Sequence, residues 1–361
     1  MSAANRYGVD YAEIARRLPP RCGIVDAHLH VNGPNAAKVY ADVMRRFGVE
    51  RVYTQTRLDH AEAVRAILGD AARFVAVPGW QTPDRKHAFG PGFLDAIRVF
   101  RRDFGSPMLK FWNAPRLREM ITGADAQDYL PFDASWRVKA AELAMEFGMM
   151  FQCHVADPDT WFATKYADAA TYGTKRQAYE SLERMLRRFP APWLAAHMGG
   201  WPEDLAFLDD LLERHHNLYL DASATKWIVR EISGHPRERV VAFMVRWKGR
   251  VLFGSDIVTT DEHLTPRPDG GKSHPMGELA DSPEGAFDLY ASRYAALRAM
   301  WEYTGEAQSP IADPDLKMVD PAKHSEMSAP TLRGMGLPAD VLDEFYGGAA
   351  RRLLAGYERS V

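Results

Sequence analysis

The sequence predicts an α/β protein of the (β/α)8 TIM-barrel class, and three observations carry that prediction. Eight short apolar or β-branched runs recur between residues 24 and 256, separated by helical stretches. That rhythm belongs to parallel βαβ units. Eight repeats favour a closed barrel over the alternative, an open doubly wound sheet. The turn after the first strand also lacks the Gly-x-Gly-x-x-Gly of a dinucleotide fold and carries His-x-His instead.

The expected strands are Ile24–His30, Arg51–Thr56, Phe74–Pro78, Met108–Trp112, Met149–Val155, Trp193–His197, Leu218–Ala222 and Val251–Asp256. The helices between them have start signals. Asn35 precedes Ala36–Phe47, and Pro91 opens Gly92–Phe104. Ser135 is read as the cap of Trp136–Phe147, and Thr174 as that of Lys175–Phe189. Pro202 is read as opening Glu203–His215. Gly48, Gly69 and Gly148 fall where helices should stop. No internal domain boundary is visible, so residues 1–361 are expected to form one domain with its core strands at 24–256. The stretch from Val258 to Pro330 starts rich in Pro, Gly and Asp and turns helical over Phe287–Tyr303. It is read as an elaborated loop after strand eight that covers the barrel mouth, followed by a C-terminal helical segment.

Composition narrows the function. The chain is 46% hydrophobic and 26% charged, with a net charge of -3, as for an ordinary soluble protein. No basic excess points to nucleic acid, and no polybasic cluster or apolar run of roughly 20 residues points to a membrane. No signal peptide is read in Met1–Arg21, and Cys22 and Cys153 do not make a disulfide framework. A cytoplasmic location and a small-molecule substrate are the expectations.

In a strand, residues two apart share a face, so His28 and His30 present two imidazoles side by side. Barrel chemistry sits at C-terminal strand ends, where the other ligands should be sought. Strand five ends at His154, strand six at His197 and strand eight at Asp256. Four of the 12 histidines thus stand at strand ends. Any one of them has a structural reading; the conjunction reads as a metal site. Asp26, one step deeper with the same parity, is read as an interior partner that orients a ligand histidine. Cys153, of opposite parity to His154, is read as inert.

On these residues the chain resembles the amidohydrolase superfamily. The nearer likeness is to the branch holding aminocarboxymuconate-semialdehyde decarboxylase, related aromatic-acid decarboxylases and lactone hydrolases. The matching pieces are Val25-Asp26-Ala27-His28-Leu29-His30, His154, Ala196-His197-Met198-Gly199-Gly200 and Gly254-Ser255-Asp256. Residues 345–353 look like the closing helix of that branch, with Gly348 where Asn is usual. The resemblance implies His28, His30, His154 and Asp256 as ligands of one divalent metal, zinc first, with manganese, iron or cobalt as alternatives. His197 would stand beside it, holding a water or taking its proton, and Asp256 would act as acid and base. The resemblance also implies a homodimer.

Lys110 on strand four has three readings: an amine on a substrate carboxylate, a structural ion pair, or the carbamylated bridge between two metals used in other branches. Arg57, Arg116, Lys226 and Arg230 follow strands two, four and seven and are solvated charges or partners of an anionic substrate. Trp80, Trp112 and Trp227 pack in the core or form flat pocket walls. With Lys110 and Arg57, these tryptophans are the expected substrate-binding residues. Two reactions fit the ligand set. Hydrolysis of an amide, lactone or ester is preferred, and non-hydrolytic decarboxylation of an aromatic or unsaturated acid is the alternative. A catalytically dead barrel would have lost some of the five residues, and all are present.

Overall fold

The chain carries parallel βα repeats in the order of a (β/α)8 fold, and the computed structural model describes residues 4–266 and 279–358. Residues 267–278, within the stretch expected to cover the barrel mouth, lie outside the described residues. Two compact units are distinguished: residues 1–72 with 222–351, and residues 73–221 with 352–361. Among the described residues no helix is long and apolar enough to cross a membrane.

In the first unit, β1 (Ile24–Val31) pairs in parallel with β2 (Val49–Thr54) and with the short β9 (Val258–Thr259). β8 (Val251–Leu252) is followed by Phe253, whose carbonyl accepts from the Ala27 amide at 2.9 Å. The helix after β1 runs Pro34–Arg46, with Pro34 at its first turn. Its start differs from the expected Asn35 signal. The cap comes from far along the chain: Asp261 Oδ1 accepts from the amides of Asn35 (3.0 Å) and Ala36 (2.8 Å). Gly33 allows that approach, since its φ is +80° and a Cβ would meet Asp261 Oδ1 at 2.5 Å.

The helix expected at Phe287–Tyr303 spans Pro283–Glu302, capped by Ser282, whose Oγ accepts from Gly285 N at 3.1 Å. It lays Tyr290 against Tyr40 of the Pro34–Arg46 helix and Tyr294 against Phe47 just past that helix, with ring centroids 6.3 and 5.7 Å apart. Beyond it, β10 (Thr304–Gln308) and β11 (Thr331–Met335) form an antiparallel pair. The segment between them is fastened by charge. Arg230 pairs with Asp313 and Glu231, and Lys226 Nζ lies 3.2 Å from Asp315 Oδ1. These two cations therefore hold the C-terminal segment.

The second unit begins within β3 (Ala72–Phe74), shorter than the expected Phe74–Pro78, with only an isolated bridge at Ala76 beyond it. β4 (Met108–Trp112), β5 (Met150–His154), β6 (Trp193–Ala195) and β7 (Leu218–Asp221) then form a parallel sheet in that order. Every residue of β5 is buried, as in a sheet covered on both faces. One face carries Phe111, Phe151 and Trp193, with Phe151 and Trp193 stacked at 4.2 Å. The Thr174 cap is a full capping box with Gln177.

Two expected caps are replaced. Asp204, not Pro202, caps Leu205–Arg214 by accepting from Phe207 N at 2.9 Å. Ala134 precedes Ser135–Glu146, because the Ser135 hydroxyl is taken by Asp128 Oδ1 at 2.9 Å. Trp193→Ala empties the centre of the aromatic stack, and large-to-small aromatic deletions of this kind cost about 3–5 kcal/mol. The expected result is a lower urea midpoint with an unchanged slope.

Candidate metal centre

The first unit brings His28, His30 and Asp256 together. His30 Nε2 lies 3.2 Å from Asp256 Oδ1, and His28 Nε2 lies 3.6 Å from the same oxygen. The ligand atoms of the three residues all fall within 4.8 Å of one another. A divalent ion bound at about 2.0–2.2 Å holds neighbouring donors roughly 3–3.6 Å apart, so this donor set fits such an ion. Two imidazoles and a carboxylate are also the donors that borderline metals take.

His28 and Asp256 are held from behind. Ser223 Oγ is 2.9 Å from His28 Nδ1, which leaves Nε2 for the ion. Asp26 is fully buried, and its Oδ1 accepts from the amides of His28 (3.2 Å) and Ser255 (3.1 Å). Its Oδ2 accepts from the Tyr294 hydroxyl at 2.7 Å, and Tyr40 adds a further hydroxyl contact to Tyr294 at 2.7 Å. Asp26 therefore orients His28 through the main chain. Burial pushes its carboxyl up to about 7, against the pull of these donors. Asp256 has a left-handed backbone (φ 55°), and its amide donates to His28 O at 2.7 Å.

The second unit holds His154, the last residue of β5, and His197, which lies two residues past β6, in the turn that follows it rather than in the expected strand Trp193–His197. His154 and His197 have ring centroids 5.0 Å apart. His154 Nε2 is 3.0 Å from Asp157 Oδ1, and Tyr166 OH donates to Asp157 Oδ2 at 2.9 Å. Burial opposes the charge on Asp157, but His154, Tyr166 and Arg116 outweigh it and hold the carboxyl below its usual range. His197 and Met198 have φ of 59° and 50°, and the His197 amide donates to Asp221 Oδ1 at 3.0 Å. Gly200 completes this turn at φ +83°, where a Cβ would stand 3.0 Å from Ala156 N.

The register Lys110↔Gln152 and Trp112↔His154 places Lys110 on the His154 face, two residues deeper, where it is buried. Trp112 lies 6.4 Å from the His154 ring and packs edge-on against Trp80 at 5.6 Å. The Arg116 guanidinium lies 5.1 Å from the Trp112 ring centre. Trp227, in the first unit, is buried within the helix Thr225–Gly234. Arg57 Nε pairs with its neighbour Asp59 at 2.9 Å. Cys153 is buried and its thiol is pushed up to about 12 by burial, as an inert residue would be.

Sequence reading missed Ser223, Asp221, Asp157 and Tyr166. Only the first two carried a signal, as polar residues at or just past the end of β7; Asp157 and Tyr166 lie in a connection with no periodic pattern.

No protein-family profile and no curated protein matches the sequence. Solved structures do. The chain is similar to a 2,6-dihydroxybenzoate decarboxylase from Rhizobium at 12% identity and a TM-score of 0.42, over 74% of this chain and 98% of that one. It is similar to the dihydroorotase of Campylobacter jejuni at 12% identity and a TM-score of 0.46, over 92% and 82%. A 5-carboxyvanillate decarboxylase from Novosphingobium aromaticivorans, complexed with manganese, is similar at 11% identity and a TM-score of 0.45, over 98% and 99%.

Asp26 gives a pH signature for the metal-free protein. The folded carboxyl keeps its proton to about pH 7, whereas the unfolded chain releases it near the usual value of about 3.9. Between those values the unfolded state binds fewer protons, so the contribution of Asp26 to stability falls as pH rises. Asp26→Asn is expected to flatten that fall in urea midpoints taken from pH 4.5 to 8 with chelator present.

Proposed function

We propose that this protein is a metal-dependent hydrolase acting on an amide, lactone or ester carbonyl of a small anionic or aromatic substrate. The observation that carries the reading is the convergence of His28 Nε2 and His30 Nε2 on Asp256 Oδ1, 3.6 and 3.2 Å away. In this reading His154 is the fourth ligand, as its place at the end of β5 supports. A divalent ion held there, zinc or else manganese, iron or cobalt, would polarise a carbonyl and lower the pKa of water. Asp256 takes the proton of the attacking water and returns it to the leaving group. His197, held by its own main chain on Asp221, hydrogen-bonds the attacking water or the substrate oxygen. Buried Lys110 offers a cation to a substrate carboxylate from the His154 face of the sheet.

A second reading, decarboxylation of an aromatic or unsaturated acid, is favoured by one observation. The flat Trp112 ring carries the Arg116 guanidinium and neighbours His154, a pairing suited to an aromatic carboxylate.

Protein purified without added metal is expected to hold about one equivalent of a divalent ion per chain by elemental analysis, and His30→Ala less than a few tenths. Asp256→Asn is expected to keep the fold and to lose activity by about 10³-fold or more, as when an acid/base group is removed. The reaction is assigned by incubating the holoenzyme in ¹⁸O-water with lactones, amides and hydroxy- or amino-substituted aromatic acids. Label in the organic product supports hydrolysis; carbon dioxide release with no label in the organic product replaces it with decarboxylation.

A further inference from the structure

Asp157 stands outside the ligand set proposed above but holds one of its members. Its side chain is 7% exposed, and both carboxylate oxygens are engaged. Oδ1 lies 3.0 Å from His154 Nε2, and Oδ2 accepts the hydroxyl of buried Tyr166 at 2.9 Å. A carboxylate can only accept, so the proton of a neutral imidazole at this contact must sit on Nε2. The lone pair available to an ion is then on Nδ1. His28 shows the contrasting arrangement: Ser223 Oγ meets its Nδ1, and its Nε2 faces Asp256. A hydroxyl can donate or accept, so Ser223 tolerates the tautomer that Asp157 dictates for His154.

We propose that Asp157, itself fixed by Tyr166, is a positioning residue that locks His154 in the Nε2–H tautomer and so offers Nδ1 to the divalent ion. The proposal rests on His154 being a metal ligand, as in the proposed function. Tyr166 belongs to the connection after β5, so the hydroxyl also ties the conformation of that connection to the orientation of a ligand ring.

Two measurements on the full-length protein test it. The first is a long-range ¹H–¹⁵N correlation of the metal-free, histidine-labelled protein near pH 8, with His154 assigned by its loss in His154→Ala. Wild type is expected to show the Nε2–H tautomer, and Asp157→Ala a mixture of both. The second is titration with Zn²⁺ against a chromophoric chelator. Removing a carboxylate partner of a ligating histidine typically weakens metal binding by about 10- to 100-fold, and Asp157→Ala should fall in that range. Tyr166→Phe should lose less, and Asp157→Glu should recover part of the loss, with urea midpoints close to wild type.

Should Asp157→Ala fail to fold, Asp157→Asn takes its place. Its amide has one acceptor oxygen for two donors, and several-fold weaker Zn²⁺ binding is expected. Wild-type Zn²⁺ affinity in the Asp157 variant overturns the proposal, whatever the tautomer. Lost affinity with an unchanged tautomer also overturns it, by making Asp157 a ligand. Wild-type affinity in His154→Ala removes His154 from the ligand set, a distinct failure that overturns both the ligand assignment and the role built on it.

Discussion

One buried carboxylate, Asp26, ties β1, which carries His28 and His30, to the segment after β8 that carries Asp256. It collects the amides of His28 and Ser255 and the hydroxyl of Tyr294. Without it, main-chain donors sealed from water would lose a strong acceptor, at about 1–3 kcal/mol for each left unsatisfied. Because two of the three donors are backbone groups, the clamp fixes where the ligand-bearing chain runs as well as how one side chain turns. Tyr294 extends the same constraint to the helix Pro283–Glu302, which is thereby registered against β1.

In each unit a short stretch of backbone is held in conformations that residues with a Cβ avoid. Among the described residues, the non-glycine positions with positive φ are His197, Met198, Ala224 and Asp256. Asp256 is the proposed acid/base, His197 the proposed hydrogen-bond partner of the water or substrate oxygen, and Ala224 follows the serine that holds His28. Each such residue costs on the order of 1–3 kcal/mol unless its surroundings enforce it. Here the enforcement is visible: Asp221 takes the His197 amide, and the His28 carbonyl takes that of Asp256.

Features set by local chemistry were legible in the sequence. Thr174 with Gln177 is a capping box because both partners lie within one turn, and β4 occupies its expected span because Met108–Trp112 is bounded by Ser106-Pro107 and Asn113. That His28 and His30 share a face of β1 was legible because side chains two apart in a strand point the same way. Contacts made across the chain were not. The cap on Pro34–Arg46 comes from Asp261, more than 200 residues away, and Ser223 reaches His28 over a separation of 195. β3 fell short because a run of apolar residues reports burial without reporting which backbone groups find a partner. Lys226 and Arg230 read as solvated charges or partners of an anionic substrate, since sequence proximity to β7 says nothing of Asp313 and Asp315 elsewhere in the chain.

That last group of charges constrains how the protein can diverge. Arg230, Asp313 and Asp315 are largely withdrawn from water, with side-chain exposures of 10%, 0% and 5%. Loss of Arg230 leaves the buried Asp313 and Asp315 with Lys226 alone to balance them, a change that typically costs several kcal/mol. Joint replacement by apolar residues of similar size escapes that penalty. Drift through this cluster should therefore proceed by coupled exchanges, and sequences descended from a common ancestor should carry either the whole set of charges or none of it. Such a pattern of inheritance would be a record of electrostatic interdependence between a barrel helix and the segment that follows it.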